Sequence, residues 1–182
     1  MKLQSWIRLS AVCIPVFCAS VVLALSVVAG PVQTGHPMLQ QVEGTVTVDE
    51  RPAAKGAEIS SGAVVHTAKG SSAVVSLGKL GRVEVFEETT MTLTFTDSTV
   101  TVSMLEAGRV RMSSSSGVVT TNDGTIKTIG TPRAMFTVDT SCGNTFVAVS
   151  NGKVELRAGS TVKQIAAGGQ DTAGTARPGC TP

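Results

Sequence analysis

The sequence predicts an all-β protein, an antiparallel β-sandwich or roll, and three observations carry that prediction. The first is composition: Val, Thr, Ser and Gly dominate a chain of 182 residues that is only 3% aromatic, a mixture that suits strands and turns and gives helices little support. The second is the stretch from Met91 to Met104, which reads Met-Thr-Leu-Thr-Phe-Thr, Asp97-Ser98, Thr-Val-Thr-Val-Ser-Met. With Asp97 and Ser98 as turn residues, strict alternation sets Phe95 opposite Val100, Leu93 opposite Val102 and Met91 opposite Met104 on one apolar face. The other face pairs Thr96 with Thr99, Thr94 with Thr101 and Thr92 with Ser103, as in a sheet packed on a core on one side and wetted on the other. The third is a returning theme: Gly44-Thr-Val-Thr-Val, Gly81-Arg-Val-Glu-Val, Gly108-Arg-Val-Arg-Met and Gly152-Lys-Val-Glu-Leu. Each is a Gly that tolerates turn geometry followed by a strand with apolar residues at alternate positions. The intervals are unequal, which argues against a fixed-period solenoid and for a sandwich or roll.

Taken in order, the chain begins with one hydrophobic helix. Lys2 and Arg8 precede an almost unbroken apolar stretch from Leu9 to Ala29. A signal-peptide core is about 7–15 residues and a bilayer span about 20, so length favours an uncleaved anchor. Val27-Val28-Ala29 offers the small residues signal peptidase accepts, which keeps cleavage open. Under either reading the positive amino end stays in the cytoplasm and the rest is exported. The expected location is therefore outside the cytoplasm, anchored in the membrane or released after cleavage. Residues 1–29 are the signal-anchor or signal peptide and 30–40, with Pro31, Gly35 and Pro37, a linker. Residues 41–168 form the β-domain, and 169–182, rich in Gly, Thr, Ala and Pro, a disordered tail.

Inside the domain, Ala53 to Gly62 reads as a polar surface connection. Val64 to Leu77 reads as two strands about a turn at Lys69-Gly70. Ser113 to Gly117 is a flexible serine run and Asn122-Asp123-Gly124 a turn. Asn151-Gly152 reads as a type I′ hairpin turn that sets Val149 against Val154 and Val147 against Leu156 on the inner side.

Charge and aromatic content narrow the function classes. Of 15 basic residues Lys2 and Arg8 lie before Gly30, which leaves 13 against 13 acidic residues in the exported part. A neutral domain carries no electrostatic footprint for nucleic acid or anionic lipid. There is no Tyr, and the single Trp is Trp6, so the rigid aromatic anchors common in glycan sites and protein hot spots are missing.

In their order, Gly44-Thr-Val-Thr-Val, Gly56-Ala-Glu-Ile-Ser-Ser-Gly-Ala-Val-Val-His-Thr, Ser72-Ala-Val-Val-Ser-Leu, Thr90-Met-Thr-Leu and Leu105-Glu-Ala-Gly-Arg-Val form the first half of a pattern. Val119-Thr-Thr, Ile129-Gly-Thr, Phe136-Thr-Val, Val147-Ala-Val-Ser-Asn-Gly-Lys-Val-Glu-Leu and Ala166-Ala-Gly complete it. From Gln41 to about Asp171 the chain resembles a FecR domain, an extracytoplasmic module of regulators of ferric-citrate uptake. The resemblance implies a sandwich of jelly-roll kind and brings no catalytic residue and no cofactor. It also implies a bacterial cell envelope, with the chain anchored in the inner membrane, or periplasmic or secreted after cleavage. Regulators of that family carry a helical cytoplasmic domain before the membrane segment, whereas here residues 1–8 precede it. The expectation is thus a stand-alone, non-enzymatic extracytoplasmic FecR-like protein that binds an unknown protein or envelope polymer. The alternative is a reduced sensor or regulator in transmembrane signalling of the iron-uptake type, with a separate cytoplasmic partner.

Individual residues agree with a binding module. Cys142 and Cys180 are the exported cysteines, an even pair that can form a disulfide outside the cytoplasm, although spacing alone does not bring them together. His66 stands without the three or four ligands zinc needs or the strained nucleophile a triad needs, and reads as a strand histidine. Glu87-Glu88, as neighbours in a strand end, point to opposite faces and do not form a carboxylate pair. Asn122-Asp123-Gly124 lacks the later acidic ligand of a calcium loop. The hydroxyl ladder of Thr92, Thr94, Thr96, Thr99, Thr101 and Ser103 is the candidate contact face. No catalytic, cofactor or metal residue is assigned.

Overall fold

The computed structural model describes residues 35–104, 107–130 and 133–180. The hydrophobic segment expected over residues 1–29, and the start of the linker, lie outside these. The described residues are all-β. In chain order the strands are β1 (Met38–Glu43), β2 (Val46–Val48), β3 (Arg51–Pro52), β4 (Ala63–Thr67), β5 (Ser72–Ser76), β6 (Gly81–Val85), β7 (Thr89–Phe95) and β8 (Val100–Met104). They continue with β9 (Arg109–Ser114), β10 (Gly117–Thr120), β11 (Thr125–Ile129), β12 (Ala134–Asp139), β13 (Thr145–Asn151), β14 (Lys153–Ala158), β15 (Thr161–Ala166) and β16 (Gln170–Ala173). A 3-10 turn at Gly78–Leu80 leads into β6.

Two large sheets share these strands. One has seven, in the order β1-β5-β6-β9-β12-β13-β16, and the other nine, in the order β15-β14-β11-β10-β8-β7-β4-β2-β3. Their inner faces meet in one apolar cluster that includes Leu39, Val83, Met112, Phe136 and Val147 from the first sheet and Val65, Met91, Leu93, Ile126 and Leu156 from the second. The alternation read from sequence is the alternation of burial: Met91, Leu93, Val100 and Val102 are wholly buried, while Thr92, Thr94, Thr101 and Ser103 are not. Val-rich strands suit this arrangement because a β-branched side chain packs well on a pleated, half-buried surface.

The four glycines of the repeated theme each precede or open a strand, and all have positive φ: 72° at Gly44, 130° at Gly81, 157° at Gly108 and 75° at Gly152. Each also lies where the chain passes another segment. A Cβ on Gly81 would stand 2.0 Å from the Ser113 carbonyl oxygen, and one on Gly152 would stand 2.9 Å from Ala134 Cα. Left-handed backbone and close approach together explain why no side chain is accommodated there.

Four expectations are corrected. The chain does not form a hairpin at Asn151-Gly152, and the expected turn at Lys69-Gly70, which is present, likewise joins strands of different sheets. β13 and β14 lie in different sheets, as do β4 and β5, and both turns are crossings between the layers. Val147, Val149, Val154 and Leu156 are all buried, but the strand partner of Val149 is Phe136, and Val154 lies between Thr128 and Ile165. An arch and a hairpin turn the same side chains inward, so period-2 patterning does not separate them. The sheets are also not purely antiparallel, because β10 pairs with β8 in parallel. The serine run is not a flexible loop: Ser113 and Ser114 are buried ends of β9, and Ser114 Oγ donates to the Leu80 carbonyl at 2.7 Å. Finally, the tail expected to be disordered after residue 168 supplies β16, which pairs with β13 and buries Ala173. At the other end the strand β1 begins at Met38, inside the expected linker.

The open edges at one side of the two sheets, β15 and β16, are tied together. Lys163 Nζ donates to Asp171 Oδ1 at 2.8 Å, and this bond, with the backbone N–H of Thr172, holds the Asp171 carboxyl below its ordinary pKa. A charged residue on an edge strand also discourages further strand pairing there.

Candidate functional site

The hydroxyl face is built by the β7–β8 hairpin in the middle of the nine-stranded sheet. Its register is the one the alternation requires: Met91 pairs with Met104, Thr92 with Ser103, Leu93 with Val102, Thr94 with Thr101 and Phe95 with Val100. Thr96 closes the turn, its backbone N–H donating to the Thr99 carbonyl at 2.9 Å and its Oγ1 accepting from the Thr99 N–H at 3.2 Å. The structure therefore brings Thr92, Thr94, Thr96, Thr99, Thr101 and Ser103 onto one outer surface, with Thr94 and Thr96 the most open.

The neighbouring strands extend this surface beyond what a local pattern reveals. Ser103 aligns with Thr120 across the parallel β8–β10 pair, and Thr120 with Thr125 across β10–β11. One row thus runs Thr92, Ser103, Thr120, Thr125 over four strands, and the next runs Thr94, Thr101, Val118. A third row, toward the other side, holds Thr47, His66 and Thr90. Strand geometry spaces such hydroxyls at about 4.8 Å across the sheet and about 6.7 Å along it. The outward residues of β7, β8 and β10 carry no charge, and charge enters only at β11 and β14 with Lys127, Lys153, Glu155 and Arg157. Thr120 and Thr125 join through a non-local pairing, for which the sequence offers no signal.

His66 is a strand residue on this outer surface, and its Nδ1 lies 3.0 Å from Thr90 Oγ1. Among the described residues no group of three or more His, Cys, Asp or Glu is placed to hold a metal ion. Glu87 and Glu88 are not in a strand but form the turn between β6 and β7, with Glu88 at φ 51°. The Glu87 carboxylate accepts from the Gly70 N–H at 2.7 Å. Asn122-Asp123-Gly124 is the β10–β11 turn, closed by Thr121, whose N–H and Oγ1 both donate to the Gly124 carbonyl. Asp123 Oδ2 accepts from Thr145 Oγ1 at 3.1 Å.

Cys142 and Cys180 are joined as a disulfide, Cα atoms 5.6 Å apart. The bond fixes the segment after β16 over the loop that follows β12. Arg177 N–H donates to the Cys142 carbonyl at 2.9 Å, its guanidinium donates to the Ser141 carbonyl, and its side chain packs over Gly143. Beneath, Asp139 is almost fully buried with both oxygens engaged. Oδ2 accepts from Arg109 Nε at 2.6 Å, and Oδ1 accepts from the Ser141 N–H and Oγ at 2.8 and 2.6 Å. Sequence reasoning did not find this corner, since Arg109, Asp139 and Arg177 are far apart in the chain.

No family model matches the chain, and no curated protein is significantly similar to it.

Proposed function

We propose that the chain is a non-enzymatic extracytoplasmic FecR-like domain of jelly-roll kind that acts by binding a protein or an envelope polymer through its hydroxyl face. The observation that supports this reading most is the row Thr92, Ser103, Thr120, Thr125 with Thr94 and Thr101 beside it, an uncharged array on four adjacent strands. Strands in the interior of a sheet hold such groups rigidly, so binding there costs little ordering entropy. Hydroxyls both donate and accept, which suits a partner rich in amide and hydroxyl groups. The test is the double variant Thr94→Lys, Thr101→Lys, with binding measured by co-sedimentation with insoluble envelope polymer and by pull-down from an envelope-protein extract. The variant is expected to lose the bound partner while its melting temperature stays within about 2 °C of the parent, as surface changes usually do. Equal recovery by variant and parent, or no recovery by the parent, overturns the reading.

A further inference from the structure

Away from the hydroxyl face, at one end of the seven-stranded sheet, lies an open cavity of about 730 Å³. Its walls carry charge of both signs. Glu43 ends β1, Glu87 and Glu88 form the β6–β7 turn, Arg109 opens β9, and Arg177 sits on the disulfide-held segment. The buried Asp139 forms part of the lining and is committed to Arg109.

Apart from the Arg109–Asp139 pair, the charges of the lining do not neutralise each other. The Arg177 guanidinium donates to the Ser141 carbonyl and is paired with no carboxylate among the described residues. Glu88 is exposed and stands in left-handed backbone; its N–H donates to the Ala68 carbonyl at 3.4 Å, while its carboxylate has no hydrogen-bond or ion partner among the described residues. Glu43 and Glu87 are held by neutral donors: Gln41 Nε2 at 2.7 Å and Ser72 Oγ at 3.3 Å for the former, the Gly70 N–H for the latter. Guanidinium recognises carboxylate with parallel N–H donors, and carboxylates accept the three donors of an ammonium. A non-glycine residue in left-handed backbone is also a feature found at binding sites.

We propose that this cavity binds a short zwitterionic peptide, its carboxylate held by Arg177 and its ammonium by Glu87, Glu88 and Glu43. The site is independent of the hydroxyl face and uses none of its residues.

The probe is triglycine, which has both charges and no side chain, titrated against the full-length oxidised protein by saturation-transfer NMR. N-acetyl-triglycine, lacking the ammonium, and triglycinamide, lacking the carboxylate, are the comparison ligands. Saturable binding of triglycine is expected at about millimolar affinity, as befits a few exposed charge contacts, with at least about tenfold weaker binding of either blocked form. Arg177→Gln and Glu88→Gln are each expected to weaken triglycine about fivefold or more, with the melting temperature as the control for folding. The hydroxyl-face variant Thr94→Lys, Thr101→Lys is expected to bind triglycine as the parent does. No saturable binding, equal binding of either blocked peptide, or full binding by Glu88→Gln overturns the proposal.

Discussion

Leu93→Ala is the most direct test of the hairpin at the centre of the nine-stranded sheet. Leu93 is wholly buried, pairs with Val102 on β8 and Ala63 on β4, and belongs to the shared core. Truncation removes three side-chain carbons from a site flanked on both sides by hydrogen-bonded strands, which limits how far it can collapse. Leu→Ala changes of this kind cost about 2–5 kcal/mol, part lost transfer energy and part residual cavity. For a domain of this size about 1 kcal/mol lowers the melting temperature by about 2–4 °C, so a fall of roughly 5–20 °C is expected. Thr94→Ala, the next residue but on the outer face and exposed, is expected to move stability by less than about 0.5 kcal/mol. The described residues contain no Trp or Tyr, so the assay is far-ultraviolet circular dichroism or calorimetry with the disulfide kept oxidised. A Leu93→Ala melting temperature within about 2 °C of the parent, or an equal loss from Thr94→Ala, refutes the assignment of faces.

Two further predictions follow from the carboxy-terminal region. Replacing both Cys142 and Cys180 by Ser releases a crosslink across a sequence separation of 38, and the double variant is expected to lose about 2–4 kcal/mol in chemical denaturation, as loop-closure entropy requires; an unchanged midpoint and slope refute it. The Lys163–Asp171 tie gives stability a pH dependence. Because the folded pKa of Asp171 is depressed, its contribution is present above the unfolded carboxylate value and is lost as pH falls through the lower folded one. Lys163 is about half exposed, so the effect is under about 1 kcal/mol. Asp171→Asn is expected to melt slightly below the parent at pH 7, with the gap closing as pH falls below the ordinary carboxylate range; a gap that widens in acid refutes the sign.

Much of this molecule is legible in its residues. Period-2 alternation assigns the inner and outer side chains of β7, β8, β13 and β14, because burial of one face is a local consequence of pleating. The turn residues Asp97-Ser98 and Asn122-Asp123-Gly124 define the two hairpins they close, and the glycines at 44, 81, 108 and 152 mark where strands begin. All of this depends on neighbours within a few residues.

Partner choice does not. Asn151-Gly152 has the residues of a hairpin turn, yet the chain crosses there from one sheet to the other, since β12 and β16 take both edges of β13 while β11 and β15 take those of β14. Either turn buries Val149 and Val154, so hydrophobic energy alone does not choose between them; satisfaction of backbone hydrogen bonds by distant strands does. The parallel β8–β10 pairing that carries the hydroxyl row to Thr120 and Thr125 has the same non-local origin. So has the corner where Arg109, Asp139 and Arg177 meet under the Cys142–Cys180 bond. The sequence by itself determined the inner and outer faces of the central strands and the turns at Asp97-Ser98 and Asn122-Asp123-Gly124, because side-chain burial and turn geometry act between near neighbours. Only the tertiary structure decided which strands pair, how far the hydroxyl face extends and which charges share a cavity, because those depend on contacts between residues that the chain keeps far apart.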